Sequence, residues 1–222
     1  MVRKTKHTIK SQKYTHKQVK IKSQKKNKNT HLYKKSNRKE KRIALLQKEL
    51  QFIINHEKNT KEQKSKIKAM KLIDRAHQFS DDIMFMMEQL QSSKSKLSPN
   101  YERNMIKSFK SLSRKIYTRS KTQSFNTITQ NISDYLRFTF VIKDKHYISE
   151  ISRIIRSLKK KGCINFKPQK KDNRWELGDY YQGINTSYIC NKYPNLPIEI
   201  QFHTPLSLKI KEEKIHPLYE KY

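Results

Sequence analysis

Apolar residues fall into two periods along this 222-residue chain, helical before residue 99 and mixed after it. Ile43, Leu46, Leu50, Ile53 and Ile54 recur at helical spacing and predict an amphipathic helix over 42–56. Ile67, Met70, Ile73, His77, Ile83, Met86, Met87 and Leu90 extend this helical leader, and their Met-rich stripe reads as core packing. The Ser- and Lys-rich run Gln91 to Pro99 then breaks the helix. Beyond it the pattern predicts a helix from Met105 to Tyr117, a buried strand from Leu136 to Ile142 and a helix from His146 to Lys161, with Ile148, Ile151, Ile154, Ile155 and Leu158 inward. A short strand from Cys163 to Phe166, a polar loop from Lys167 to Gln182 and a strand from Ile184 to Cys190 follow. Pro197 to Thr204 reads as a further strand, and a closing helix runs from Leu206 to about Glu220. Strands separated by helices, with a late pair joined by a short loop, imply an α/β protein with a mixed β-sheet flanked by helices. The expected organisation is a basic arm over 1–42, a helical leader over 43–98 and a catalytic-looking domain over 99–222.

Composition changes the picture at the amino terminus. Residues 1–42 hold 17 Lys or Arg and a single acid, Glu40, with almost no apolar residues, which predicts a disordered basic arm. A formal net charge of +32 implies a polyanionic partner, with RNA, DNA, an acidic membrane surface and nucleotide phosphates as candidates. Cys163 and Cys190 stand 27 residues apart with no second pair, so the expectation is neither a disulfide framework nor a four-thiolate zinc site, and a reducing compartment. No apolar run reaches the ~18 residues of a membrane span, and the amino terminus lacks the apolar core of a secretory signal. A soluble protein is expected.

The candidate chemistry gathers on the strand Pro197 to Thr204. Strict alternation sends Ile198, Ile200 and Phe202 to one face and Glu199, Gln201 and His203 to the other. A carboxylate, an amide and an imidazole in a row can hold a metal, a base edge or a proton, so this face reads as one wall of a polar cleft. Arg137, inside an otherwise apolar strand, needs a partner or a cleft. On the predicted helix from Met105, the residues Lys107, Ser111 and Lys115 sit four apart on one face.

Several segments together resemble the synthetase domain of the RelA/SpoT family. Glu199-Ile-Gln-Phe-His-Thr204 is similar to the family's EIQIRT segment, Tyr180-Tyr-Gln-Gly-Ile-Asn-Thr186 to its GYQSLHT segment, and Lys107, Ser111 and Lys115 to its ATP-binding pattern RxKxxxSxxxK. Toxin-type and small stand-alone members are closer still in Leu136-Arg-Phe-Thr139, Tyr181-Gln-Gly-Ile-Asn185, Gln201-Phe-His-Thr-Pro-Leu-Ser207 and Lys211-Glu-Glu-Lys-Ile-His-Pro-Leu-Tyr-Glu220. The resemblance covers about 70–222. It implies a nucleotidyltransferase-like fold and pyrophosphoryl transfer from ATP to the 3′-hydroxyl of a nucleotide, giving an alarmone, or of an RNA or tRNA 3′ end. The competing reading is a catalytically degenerate RNA-binding module on the same fold. No His is followed by Asp, so the family's hydrolase domain has no counterpart.

Carried over residue by residue, the resemblance makes Glu199, Asp134 and Arg137 catalytic, with Asp134 and Glu199 as Mg²⁺ ligands. Lys107, Ser111, Arg114, Lys115 and Trp175 become ATP-binding, and Tyr181, Asn185, Gln201 and His203 acceptor-binding, with Tyr181 stacking on the acceptor base. His216 matches a late family His with a structural role. The pattern departs at Met105, which takes an Arg position, at Leu177, which takes a Lys position, and at Asp134, which stands three residues before Arg137 where the family's Asp stands five before its Arg. Toxin-type membership further implies a neutralising antitoxin as partner, and cytoplasmic action, with signal-independent delivery into a target cell as the other route.

Overall fold

The computed structural model describes residues 40–41, 43–48, 51–52, 60–166, 172–175 and 182–215. The chain divides into two units, 1–49 and 50–222. In the first, residues 43–48 are helical, within the predicted 42–56 helix; of the arm expected to be disordered over 1–42, residues 40–41 are helical and the rest lies outside the described residues.

The second unit opens with α1, Lys61–Glu88, whose first turn is capped by the Thr60 side chain accepting from the Gln63 amide. Ala69, Met70, Ile73, Ala76, Ile83 and Met87 are buried along one face, as the Met stripe predicts. There follow β1 (Ser95–Leu97), α2 (Tyr101–Asn104), α3 (Phe109–Arg119), α4 (Phe125–Asn131), β2 (Arg137–Ile142) and α5 (Tyr147–Lys160). The remaining elements are β3 (Cys163–Asn165), β4 (Asp172–Asn173), β5 (Ile184–Cys190), β6 (Ile198–His203) and α6 (Pro205–Ile210), which opens into a π-helical turn over Lys211–Ile215. The six strands form one mixed sheet in the order β1-β2-β6-β5-β3, with β4 added beside β5. Only β2 and β6 run parallel, and the other pairs are antiparallel. No helix among the described residues is long and apolar enough to cross a membrane.

Register gives the sheet two unlike faces. Phe138, Phe140 and Ile142 of β2 share a face with Ile198, Ile200 and Phe202 of β6, and all are buried. Helix α5 lies on this apolar side: the Tyr147 hydroxyl donates to the Phe202 carbonyl at 2.7 Å, and Glu150 reaches Ser95 of β1. Its buried side carries Ile151, Ile154 and Leu158, and Gly162 ends it with φ +75°, a left-handed conformation that glycine adopts without strain. Helix α1 packs on α3, whose Leu112 and Ile116 are buried. The opposite face is polar: Arg137 and Thr139 on β2, Glu199, Gln201 and His203 on β6, and Asn185 and Ser187 on β5 stand side by side in register.

Several sequence expectations are corrected. The predicted helix from Met105 to Tyr117 is broken: Met105 closes α2, Ile106 bridges Leu136, and the Lys107 amide donates to the Tyr135 carbonyl before α3 begins. Ser108 caps α3 by accepting from the Ser111 amide, so the chain arrives extended and turns helical only there. The segment read as an irregular loop contains β1, which pairs with β2, so residues before 99 contribute to the sheet. Ile148, predicted inward, is 68% exposed. Cys163 and Cys190, expected as free thiols, face each other across the β3–β5 pair and form a disulfide, because antiparallel register makes them direct cross-strand neighbours. Position 27 residues apart said nothing of that register. The closing helix is helical over 205–215, and the part expected beyond it, with His216, lies outside the described residues.

Candidate active site

Parallel pairing of β2 with β6 brings Arg137 directly beside Glu199, both half-buried on the polar face. Asp134 precedes β2 and is largely buried. Its Oδ2 accepts from Lys107 Nζ at 2.8 Å and from Lys115 Nζ at 2.7 Å. The two lysines meet there from different elements, one from the extended segment before α3 and one from within it. Asp134 Oδ1 is buried and has no hydrogen-bond partner. Burial alone would raise the Asp134 pKa, but the charges of Lys115 and Lys107 and their hydrogen bonds outweigh it and hold the carboxyl well below the usual carboxylate range.

Glu199 shows the reverse balance. Its pKa is raised, first by desolvation and then by the charge of Asp134, against smaller opposing pulls from Arg137, Lys115 and the Gln201 hydrogen bond. Two carboxylates in electrostatic contact with pKa values driven apart are the arrangement in which one stays anionic and the other can take up a proton. Gln201 Nε2 donates to Glu199 Oε2 at 3.0 Å, while Gln201 Oε1 accepts from Thr139 Oγ1 at 3.0 Å and from Lys211 Nζ at 2.9 Å. Ser187, opposite Glu199 on β5, is hydrogen-bonded to Ser133 at 3.1 Å. Lys115, mostly buried, has its pKa lowered chiefly by desolvation, with Asp134 opposing and with Lys107 and Arg119 adding to the lowering.

The structure therefore brings together Asp134, Glu199, Arg137, Lys107, Lys115, Gln201 and, beside Gln201 in register, Asn185. Ser111 is half-buried on α3, and Arg114 is exposed on the same helix. Tyr181 lies outside the described residues. Two predicted residues stand elsewhere. His203 is fully buried: its ring nitrogen is 3.0 Å from the Ser207 hydroxyl, and its edge presses on Gly183, where a Cβ would sit 2.7 Å from Cε1. Burial and the Lys211 charge push its pKa down to about 4, so the ring is neutral packing at the closed end of the face rather than a ligand contact. Trp175 donates through Nε1 to the Tyr147 hydroxyl at 3.2 Å and lies edge-on to that ring in a separate groove of about 540 Å³. That groove is lined by Asp144, Ile148, Gln182, Thr204 and Leu206 among others, and by none of the charged residues around Asp134 and Glu199.

Sequence reasoning missed Lys211, Arg119 and Thr139. Thr139 alternates onto the same face as Arg137 and was legible by period, whereas Lys211 and Arg119 were hidden among the chain's 51 Lys and Arg. Scans against protein-family models and curated proteins found no match to this chain.

Asp134 and Glu199 are oxygen donors of the kind a Mg²⁺ ion takes, one or two carboxylates with the rest of its shell completed by water and phosphate. The buried, unpartnered Oδ1 of Asp134 and the electrostatic contact between the two carboxylates are what such a cation would relieve. No group of three or more His, Cys, Asp or Glu among the described residues clusters as a denser metal site.

Proposed function

We propose that this protein transfers a pyrophosphoryl group from ATP to the 3′-hydroxyl of a nucleotide or of an RNA 3′ end. The observation that carries the reading is the pair Asp134 and Glu199, with Lys107 and Lys115 hydrogen-bonded to Asp134 and Arg137 beside Glu199 in register. In the reaction the acceptor oxygen attacks the β-phosphorus, the bond from that phosphorus to the α-bridging oxygen breaks, AMP leaves, and the hydroxyl proton must find a base. Glu199, the carboxylate beside Arg137, takes that proton. Lys107, Lys115, Arg119 and Arg137 offset the triphosphate charge that shifts onto the leaving oxygen, a task of positioning and electrostatics with little covalent work for the protein. Asn185, on the neighbouring strand, offers an amide to the acceptor. Mg²⁺, when held by Asp134 and Glu199, would supply further charge neutralisation on the phosphates.

The test is incubation of the protein with labelled ATP and, in turn, GDP, GTP, ADP and tRNA, with and without Mg²⁺. A Mg²⁺-dependent product carrying two added phosphates, lost by on the order of 10²-fold or more in Glu199→Gln, supports the reading. Transfer that survives Glu199→Gln at saturating Mg²⁺ refutes it. The net charge of +32 favours a second reading, an RNA-binding module without chemistry, which tight, salt-sensitive RNA binding in the absence of any product would select.

A further inference from the structure

Lys211 is out of place for an ordinary lysine. It begins the π-helical turn after α6, its side chain is only 14% exposed, and its ammonium lies 2.9 Å from Gln201 Oε1, with the Glu212 carboxylate more distant at 3.6 Å. Burial lowers its pKa, so the position costs stability that a solvated lysine would keep. Helix α6 is built to deliver it: Thr204 caps the helix, Ser207 completes a reciprocal capping box, and Pro205 fixes the first turn.

The consequence lies in the Gln201 amide, which can sit in either of two flipped orientations. Thr139 cannot choose between them, because a hydroxyl donates or accepts equally well. An ammonium only donates and a carboxylate only accepts, so Lys211 and Glu199 select the same orientation, with Oε1 toward Lys211 and Nε2 donating to Glu199 Oε2 at 3.0 Å. Without Lys211 the amide keeps only Thr139 and the Glu199 carboxylate, so Oε1 loses its charged donor and Nε2 is held less firmly on Glu199. We infer that Lys211 is a positioning residue for Glu199, acting through the Gln201 amide. The inference rests on the proposed function for its kinetic consequence, but not for the hold on the amide itself.

Two readouts separate these. In the full chain, the Gln201 side-chain NH₂ signals, assigned by their loss in Gln201→Met, should be a single pair protected from solvent exchange. Lys211→Met should lower that protection while the backbone spectrum and thermal midpoint remain near wild type. Unchanged Gln201 signals in Lys211→Met overturn the inference whether or not the protein is an enzyme.

In the transfer assay, Lys211→Met should lower kcat about 10–100-fold with the KM for ATP nearly unchanged, the range seen when a residue behind a site's direct contacts is lost. Lys211→Met combined with Gln201→Met should be no worse than Gln201→Met alone. Multiplicative losses, or a rise in KM at constant kcat, would instead place Lys211 on the phosphates and refute the positioning role. Lys211→Gln removes the charge but keeps a polar side chain that can donate or accept toward Gln201 Oε1, so it should fold like wild type and lower kcat in the same direction as Lys211→Met. It decides the question if Lys211→Met does not fold. A wild-type protein without transfer activity overturns the proposed function and leaves the amide signals to judge Lys211.

Discussion

Replacing Glu150 with Gln should make the protein less stable at neutral pH, by an amount that shrinks in acid. Glu150, on α5, is 7% exposed, and its Oε2 accepts from the hydroxyls of Ser92 and Ser95, each at 2.7 Å, and from Arg153 Nε at 3.0 Å. Arg153 continues the network to the Leu90 carbonyl at 2.6 Å, so one carboxylate ties the end of α1, strand β1 and α5 together. Burial would raise its pKa, but the bonds from Arg153, Ser92 and Ser95 outweigh it and bring it from 4.5 to about 2. A folded pKa below the unfolded one stabilises fully above the unfolded value and is lost as pH falls through the folded one, here between about pH 5 and pH 2. At ~1.4 kcal/mol per unit the shift sets a ceiling of about 3 kcal/mol, and solvent screening of the partly exposed Arg153 brings it to ~2 kcal/mol. Urea unfolding of wild type and Glu150→Gln at pH 7, 5, 4 and 3 isolates this contribution, because the other carboxylates cancel in the difference. The gap in stability should be ~2 kcal/mol at pH 7 and should have fallen to about half of that or less at pH 3. A gap of constant size at every pH, or none at pH 7, refutes the charge-assisted network as its source.

Three other perturbations have directions fixed by the structure. Asp134→Asn leaves Lys107 and Lys115, 15% and 29% exposed, without their shared anion, and should lower stability by about 1–3 kcal/mol at pH 7. Since the Asp134 pKa is depressed, that loss should shrink as pH falls below the usual carboxylate range, which thermal melts at pH 7 and pH 3 would check. Gly183→Ala puts a Cβ 2.7 Å from the buried His203 ring and should cost about 1–3 kcal/mol in urea unfolding; a neutral result would mean the ring can withdraw. Reducing the Cys163–Cys190 bond frees a 27-residue separation in the unfolded chain, so stability in a reductant should fall by about 3–4 kcal/mol, and the Cys163→Ser, Cys190→Ser double variant should no longer respond to the reductant.

How far the sequence carried depended on whether a residue's place followed from period or from contact. Alternation in Ile198 to His203 correctly divided core from polar face, because a strand buried on one side has no other way to hide its apolar residues, whereas β2 was read only as a buried strand with Arg137 standing out. The same alternation could not say that His203 is buried along with the core, since that follows from α6 folding back over it. Lys107 and Lys115 converge on Asp134 although Lys107 is not on the helix: spacing by four matched the true proximity through a different geometry. Strand β1 was invisible because Ser-Lys-Leu has little intrinsic strand preference and is extended by pairing with β2. Trp175 looked available as an aromatic near the polar loop, yet Tyr147, 28 residues earlier, holds it in another groove.

The location of the charged cluster follows from the one parallel pair in an otherwise antiparallel sheet. Open parallel sheets usually place ligands beyond the carboxyl ends of their strands. Here that end of the polar face is filled: His203 is fully buried against Gly183 and Ser207, and Lys211 reaches in to Gln201. The amino-terminal end is different, because β2 and β6 both start there, so Arg137 and Glu199 enter the sheet as neighbours. Asp134 comes from the segment leading into β2, and the Lys107 amide is bound to that segment at the Tyr135 carbonyl, which brings the lysine's ammonium to the Asp134 carboxylate. Along five residues of β6 the polar face passes from half-buried Glu199 to fully buried His203. The buried end holds the amide that donates to Glu199, and the other end gathers Lys107, Lys115 and Arg137 around Asp134 and Glu199, the arrangement on which the proposed transfer rests.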